Sequence, residues 1–148
     1  MPNWCENELR ATGTEKAIKA LQKYLSKGKN DLEFMFVLPP PNNEWDYNWC
    51  IGNWGTKWEP ESVWSDWEND AVSFEMWTAW GPPVGIVQAL ATKFPKLKWE
   101  LTYGETGMDF SGLMQWEKGQ NILDVSGVYG VYYGSNEEEE EEEEESLD

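Results

Sequence analysis

The sequence contains no histidine, which removes the commonest general base, the commonest metal-ligating side chain and the serine–histidine catalytic triad. Its two cysteines, Cys5 and Cys50, are too few for a disulfide framework or for the four ligands of an iron–sulfur cluster. Because no base partner for either cysteine is visible in the sequence, we expect buried structural thiols rather than nucleophiles. The composition therefore favours a protein with no cofactor, no metal site and no catalytic residue.

Positive charge is scarce as well. The chain has 11 basic and 28 acidic residues, a formal net charge of -17, and Arg10 is its only arginine. Lysine and arginine supply most of the affinity for nucleic-acid backbones and for anionic membranes, so this balance argues against both partners. No apolar run reaches the length of a membrane-spanning helix and no signal peptide is visible, so we expect a cytoplasmic protein.

Acidic residues are concentrated at one end of the chain. Residues 137–145 are nine consecutive glutamates, and 137–148 hold ten of the 28 acidic residues. The remaining 18 acids still outnumber the 11 bases, so the body is also acidic. Adjacent carboxylates repel and nothing apolar offsets their ordering entropy, which predicts a domain at 1–134 and a disordered polyglutamate tail at 135–148. The tail would be solvating, or would mimic phosphates and compete for a nucleic-acid-binding surface.

Hydrophobic periodicity predicts alternating strands and helices over most of the chain. Between 39 and 70 lies a long irregular region with six tryptophans and, around 60–67, a turn or two of helix. The predicted elements are strands at 3–12, 32–38, 71–80, 97–105 and 108–120, helices at 14–28 and 82–95, and a further edge strand at 122–133.

The order of these elements predicts an α+β fold of ferredoxin-like type. A βαββαβ chain forms an antiparallel sheet of four strands with two helices on one face. Here we expect a long Trp-rich insertion loop before the third strand and a C-terminal hairpin after the fourth.

Eleven tryptophans are the strongest anomaly of the composition. Those in predicted strands are expected in the core, but others lie in loops or at element ends. These loop indoles either fill a small core of their own or form a binding surface around Lys57, because exposed indoles are enriched in interfaces and stack on bases, sugars and cations. The predicted binding residues are Trp45, Trp49, Trp54, Lys57, Trp58 and Trp80, with Tyr103 and Glu105.

Four short motifs together resemble one family. They are "MPNWCENEL" at the start of the chain, "NWGTKW" at 53–58, "TAWGPP" at 78–83 and "YGETGMDFSG" at 103–112. In this order, over residues 1–120, they resemble the YubB-type ferredoxin-like proteins of phages, plasmids and prophages. The resemblance implies the ferredoxin-like fold and a mobile-element origin, and it brings no established activity.

Three functions are consistent with these observations. The first is a non-enzymatic accessory binding protein that acts in the host cytoplasm on a host protein, for instance a defence component with a basic surface. The second is a Trp-lined pocket that sequesters a nucleotide-like ligand, with Lys57 at a phosphate, or that holds a sugar. The third is a hydrolase that uses Glu105, Asp109 and Lys57, with or without a divalent metal. The missing catalytic side chains favour the first.

Overall fold

Six strands and four helices make up residues 3–134, the part of the chain that the computed structural model describes. The predicted disordered tail lies outside these residues. No helix within them is both long and apolar enough to cross a membrane. The strands are β1 (Trp4–Thr12), β2 (Val63–Trp67), β3 (Ala71–Ala79), β4 (Lys98–Glu105), β5 (Phe110–Glu117) and β6 (Gln120–Gly127), and the helices are α1 (Glu15–Leu25), α2 (Phe34–Val37), α3 (Tyr47–Trp54) and α4 (Val84–Lys93).

All six strands form one antiparallel sheet in the order β2-β3-β1-β4-β5-β6. The central strand β1 pairs on both sides, so that Leu9 lies opposite Phe74 of β3 and Leu101 of β4. The first four strands with α1 and α4 form the βαββαβ core, and β5 and β6 add a C-terminal hairpin at one edge. The predicted α+β, ferredoxin-like architecture is therefore confirmed.

One face of the sheet packs against α1 and α4, and the alternation of β1 shows why. Cys5, Leu9 and Ala11 project into the core and are fully buried, while the intervening Glu8 is exposed. α1 begins as expected, because the Thr14 hydroxyl accepts the Ala17 N–H (3.2 Å) as an N-cap. Its apolar stripe, at Ile18, Leu21 and Leu25, then completes the core under the sheet.

The segment 32–38 is not a strand, which corrects the prediction. Its backbone forms the short helix α2, because the Glu59 carboxylate accepts the N–H groups of Phe34 (2.7 Å) and Met35 (2.8 Å). The indole of Trp54 donates to the Leu38 carbonyl (2.7 Å) and packs edge-on against the Phe34 ring. These partners hold the segment beside the helices and away from the sheet.

The second strand of the core is β2, within the stretch around 60–67 for which a helix was predicted. Its burial alternates with a period of two, since Val63, Ser65 and Trp67 are half-buried while Trp64 and Asp66 are exposed. The Trp-rich insertion therefore lies between α1 and β2, before the second strand and not the third. It is also not irregular, because it contains α2, α3 and a 3-10 turn.

We expect Trp54→Ala to lower the free energy of unfolding by about 3–5 kcal/mol, because it removes a fully buried indole and leaves a cavity. The matched control is Trp64→Ala, whose indole is exposed on β2, and it should cost less than about 1 kcal/mol. Urea unfolding followed by circular dichroism measures both. Equal costs would mean that Trp54 does not anchor the insertion.

Both thiols should resist alkylation in the folded protein. Burial, and next the Glu105 carboxylate, raise the pKa of the Cys5 thiol to about 12, and burial also raises the pKa of Cys50. The protonated Cys5 thiol thus stabilises the fold at pH values below its unfolded pKa of 9.0, and this contribution is lost as the pH rises towards 12. At pH 8, reaction with a thiol reagent should be at least about a hundredfold slower than in urea. Rapid reaction of either thiol in the folded protein would contradict its burial.

Candidate binding surface

The end of α3 is fixed by a close contact between two backbones. A Cβ atom on Gly85, in α4, would collide with the Asn53 carbonyl, so only glycine allows this approach. Gly55 ends α3 in the left-handed region (φ 89°), and a Cβ there would lie 2.7 Å from the Pro82 carbonyl oxygen. The motif "NWGTKW" therefore leaves α3 directly against the "GPP" turn.

Trp80 stands on an unusual backbone at the end of β3. Its φ is 74°, a left-handed conformation that costs a non-glycine residue about 1–3 kcal/mol. Three hydrogen bonds hold it there: the Trp80 N–H to the Asn3 carbonyl (2.8 Å), the Gly81 N–H to the Ala79 carbonyl (2.9 Å) and the Thr78 hydroxyl to the Gly81 carbonyl (2.6 Å). The indole that results is 61% exposed.

Lys57 lies between two indoles. Its Nζ is 4.3 Å from the Trp58 ring centroid and 5.2 Å from that of Trp80, so both rings attract the ammonium through their π faces. The preceding Thr56 is buried and donates its hydroxyl to the Ala79 carbonyl (2.8 Å), which fixes the loop to the end of β3. Trp58 packs in turn against Trp4, with ring centroids 6.4 Å apart.

These contacts create an exposed aromatic patch around a shallow pocket of about 210 Å³. Trp45 belongs to the patch because its indole N–H donates to the Lys57 carbonyl (2.7 Å). We call it the Trp80 surface, formed by Trp45 (53% exposed), Tyr47 (51%), Ile51 (42%), Lys57 and Trp80.

The structure brings only some of the predicted residues to this surface. Trp45, Lys57 and Trp80 lie on it, whereas Trp49 and Trp58 are half-buried behind it. Trp54 is a core residue and cannot contact a partner directly. The insertion thus has both a small core and an open surface, the two alternatives that the sequence left open.

Tyr47 and Ile51 were not predicted as part of the surface. They lie four residues apart on the outer side of α3, while Cys50 and Trp54, also four apart, face inward. Asp46 accepts the Trp49 N–H (2.8 Å) as the N-cap of the helix. This spacing and the cap were visible in the sequence and would have located both residues.

The other two predicted site residues are buried. Tyr103 lies in the core, and both Glu105 carboxylate oxygens are occupied, by the N–H groups of Gly107 (2.6 Å) and Met108 (2.7 Å). The Asp109 carboxylate accepts the Tyr129 N–H (3.2 Å), so this candidate acid–base pair shapes the turn between β4 and β5. Among residues 3–134, no three His, Cys, Asp or Glu side chains gather as a metal site requires.

The fold has a counterpart among solved structures. The crystal structure of the protein Api92 from Yersinia pseudotuberculosis is similar, with a TM-score of 0.69 over 91% of this chain and 100% of that chain. The sequences are 9% identical, so the likeness concerns the fold alone. No curated protein matches the sequence. A family model described as the ferredoxin-like domain in Api92-like protein matches residues 52–148, and the chain belongs to this family.

Proposed function

We propose that this chain is a non-enzymatic binding protein that grips a protein partner through the Trp80 surface. The observation that carries the proposal is Trp80 itself, a large indole held 61% exposed on a strained backbone by three hydrogen bonds. Strain of this kind persists where the surrounding structure imposes it, and it is concentrated at functional sites. Exposed tryptophans in a shallow pocket are typical anchors of protein interfaces.

Charge favours a partner with a basic surface. Outside the segment 137–148, 18 acidic residues face 11 basic ones, so the body attracts cationic proteins at long range. The rings of Trp58 and Trp80 already attract one ammonium group, that of Lys57, and the exposed Trp80 ring suits a further cation from a partner.

The resemblance to YubB-type proteins of phages, plasmids and prophages supports a host protein as this partner. Two of the four motifs that carry the resemblance build the surface, since "NWGTKW" supplies Lys57 and "TAWGPP" supplies Trp80. A mobile-element protein acting in the host cytoplasm on a basic host protein, such as a defence component, fits this arrangement.

The geometry is less favourable to the two other functions. The pocket of about 210 Å³ is smaller than the roughly 300–1,000 Å³ of typical small-molecule sites, and Lys57 is already engaged by two indoles. A hydrolase centred on Glu105 is disfavoured because both of its carboxylate oxygens are occupied by backbone N–H groups.

The partner should be captured from host lysate by the immobilised chain and lost in the double variant Trp80→Ala, Tyr47→Ala. Removing two interface anchors should weaken binding by roughly 30-fold or more, because each typically contributes over 1 kcal/mol. The matched control is Trp64→Ala, which removes an equally exposed indole on β2, outside the Trp80 surface. Bound proteins are quantified by mass spectrometry.

Sedimentation of the purified chain at several concentrations accompanies this experiment. We expect a monomer, which leaves the Trp80 surface free for another protein. A dimer that Trp80→Ala dissociates would assign the surface to a second copy instead. Equal capture by the double variant and by the Trp64→Ala control would refute the proposed surface.

A further inference from the structure

A second groove lies between α1 and the segment that joins α4 to β4. Its volume is about 300 Å³, and it lies at the end of the sheet where β1 finishes. The floor is apolar, with Phe94 half-buried and Leu97 buried. Three lysines surround this floor, Lys16 on α1, Lys93 at the end of α4 and Lys96 just before β4. We call it the lysine groove.

The three lysines have no carboxylate partner in the described chain, and the ammonium of Lys93 lies 4.7 Å from the Tyr24 ring centroid. The ion pairs among residues 3–134 are Lys19 with Glu15 (2.9 Å) and Lys98 with Glu117 (3.6 Å). Lys16, Lys93 and Lys96 are exposed and have no carboxylate within 4.0 Å in that part of the chain. In a protein whose acids outnumber its bases, lysines without carboxylate partners gathered around an apolar floor indicate an anionic ligand.

We propose that the lysine groove binds the end of the polyglutamate run of the same chain, residues 137–145. The lysine ammonium groups would receive the carboxylates, and the glutamate methylenes would cover the apolar floor. This assignment does not depend on the proposed function, because the Trp80 surface lies at the opposite end of β1, beside Trp4.

The end of the described chain is consistent with this assignment. Gly134 lies on the open face of the sheet, in a groove of about 580 Å³ that Glu6, Glu8 and Glu75 line. Like charges repel, so these carboxylates disfavour the glutamate run on the open face. The negative charge of this groove also acts on Tyr133, because burial first and the Glu6 carboxylate next raise the pKa of its hydroxyl. The glutamate run would therefore have a lower electrostatic energy in the lysine groove than on this face.

The run is long enough to reach. β1 rises about 14 Å over the four residues from Glu8 to Thr12, and the helical layer that holds the groove lies about 10 Å from the sheet. Seven or eight extended residues span this path of about 24 Å, at roughly 3.3 Å each. Counted from Ser135, the glutamates from about position 142 onward would lie in the groove.

The bound run would close the groove to other polyanions. A single-stranded nucleic acid is the competing occupant, since phosphates also bind lysines. The glutamate run is favoured because its attachment to the same chain gives it an effective concentration of about millimolar. An acidic body further repels a free nucleic acid.

The direct test is zero-length carbodiimide crosslinking of the full chain, which joins a carboxylate to a lysine only when the two are in contact. An equimolar mixture of unlabelled and ¹⁵N-labelled protein is used, and mass spectrometry identifies the linked peptides. We expect Lys16, Lys93 and Lys96 to link to 137–145 about fivefold more than Lys27 and Lys29, which are exposed but outside the groove. These links should be intrachain and should weaken in high salt.

The variant Lys93→Gln, Lys96→Gln should lower linkage of the unchanged Lys16 severalfold, whereas the control Lys27→Gln, Lys29→Gln should not. Links spread evenly over all lysines, or links that join labelled to unlabelled chains, would overturn the proposal. So would a 12-nucleotide single-stranded DNA that abolishes the links to Lys16 at micromolar concentration, because it would assign the groove to nucleic acid.

Discussion

The arrangement of the insertion depends on one backbone contact, between the end of α3 and the start of α4. Gly85 lets the Asn53 carbonyl approach closer than any side chain would allow, and Gly55 then turns the chain against Pro82. Because this contact fixes the end of α3, Lys57 lies within reach of the Trp80 ring. Trp54 anchors the same helix in the core, and the exposed aromatic residues depend on that buried one.

Charge and apolar surface are divided between different regions of the sheet. The open face carries Glu6, Glu8 and Glu75, whereas lysines surround a groove on the helical side. The Trp80 surface lies beside Trp4, at the end of β1 that is remote from this groove. The two proposed occupants, a basic protein and the acidic segment, would therefore not compete for one site.

Much of the fold could be predicted because local periodicity matched burial. The strand predicted at 97–105 is found as β4, where Trp99 and Leu101 are buried and the intervening Glu100 is exposed. The segment 32–38 could not be predicted, because its helix depends on Glu59, which lies 24 and 25 residues from its two partners. Trp80 was predicted in the site, but its exposure depends on a positive φ that residue preferences assign to glycine or asparagine.

The most direct measurement is ¹⁹F NMR of the chain labelled with 5-fluorotryptophan, with the Trp80 resonance assigned through Trp80→Phe. Trp80 should show the solvent isotope shift of an exposed indole, and Gly85→Ala should move its resonance although residue 85 is not part of the Trp80 surface. The Trp64 resonance, from exposed β2, should stay unchanged. A buried Trp80, or a resonance indifferent to Gly85→Ala, would contradict the dependence of the surface on the contact between α3 and α4.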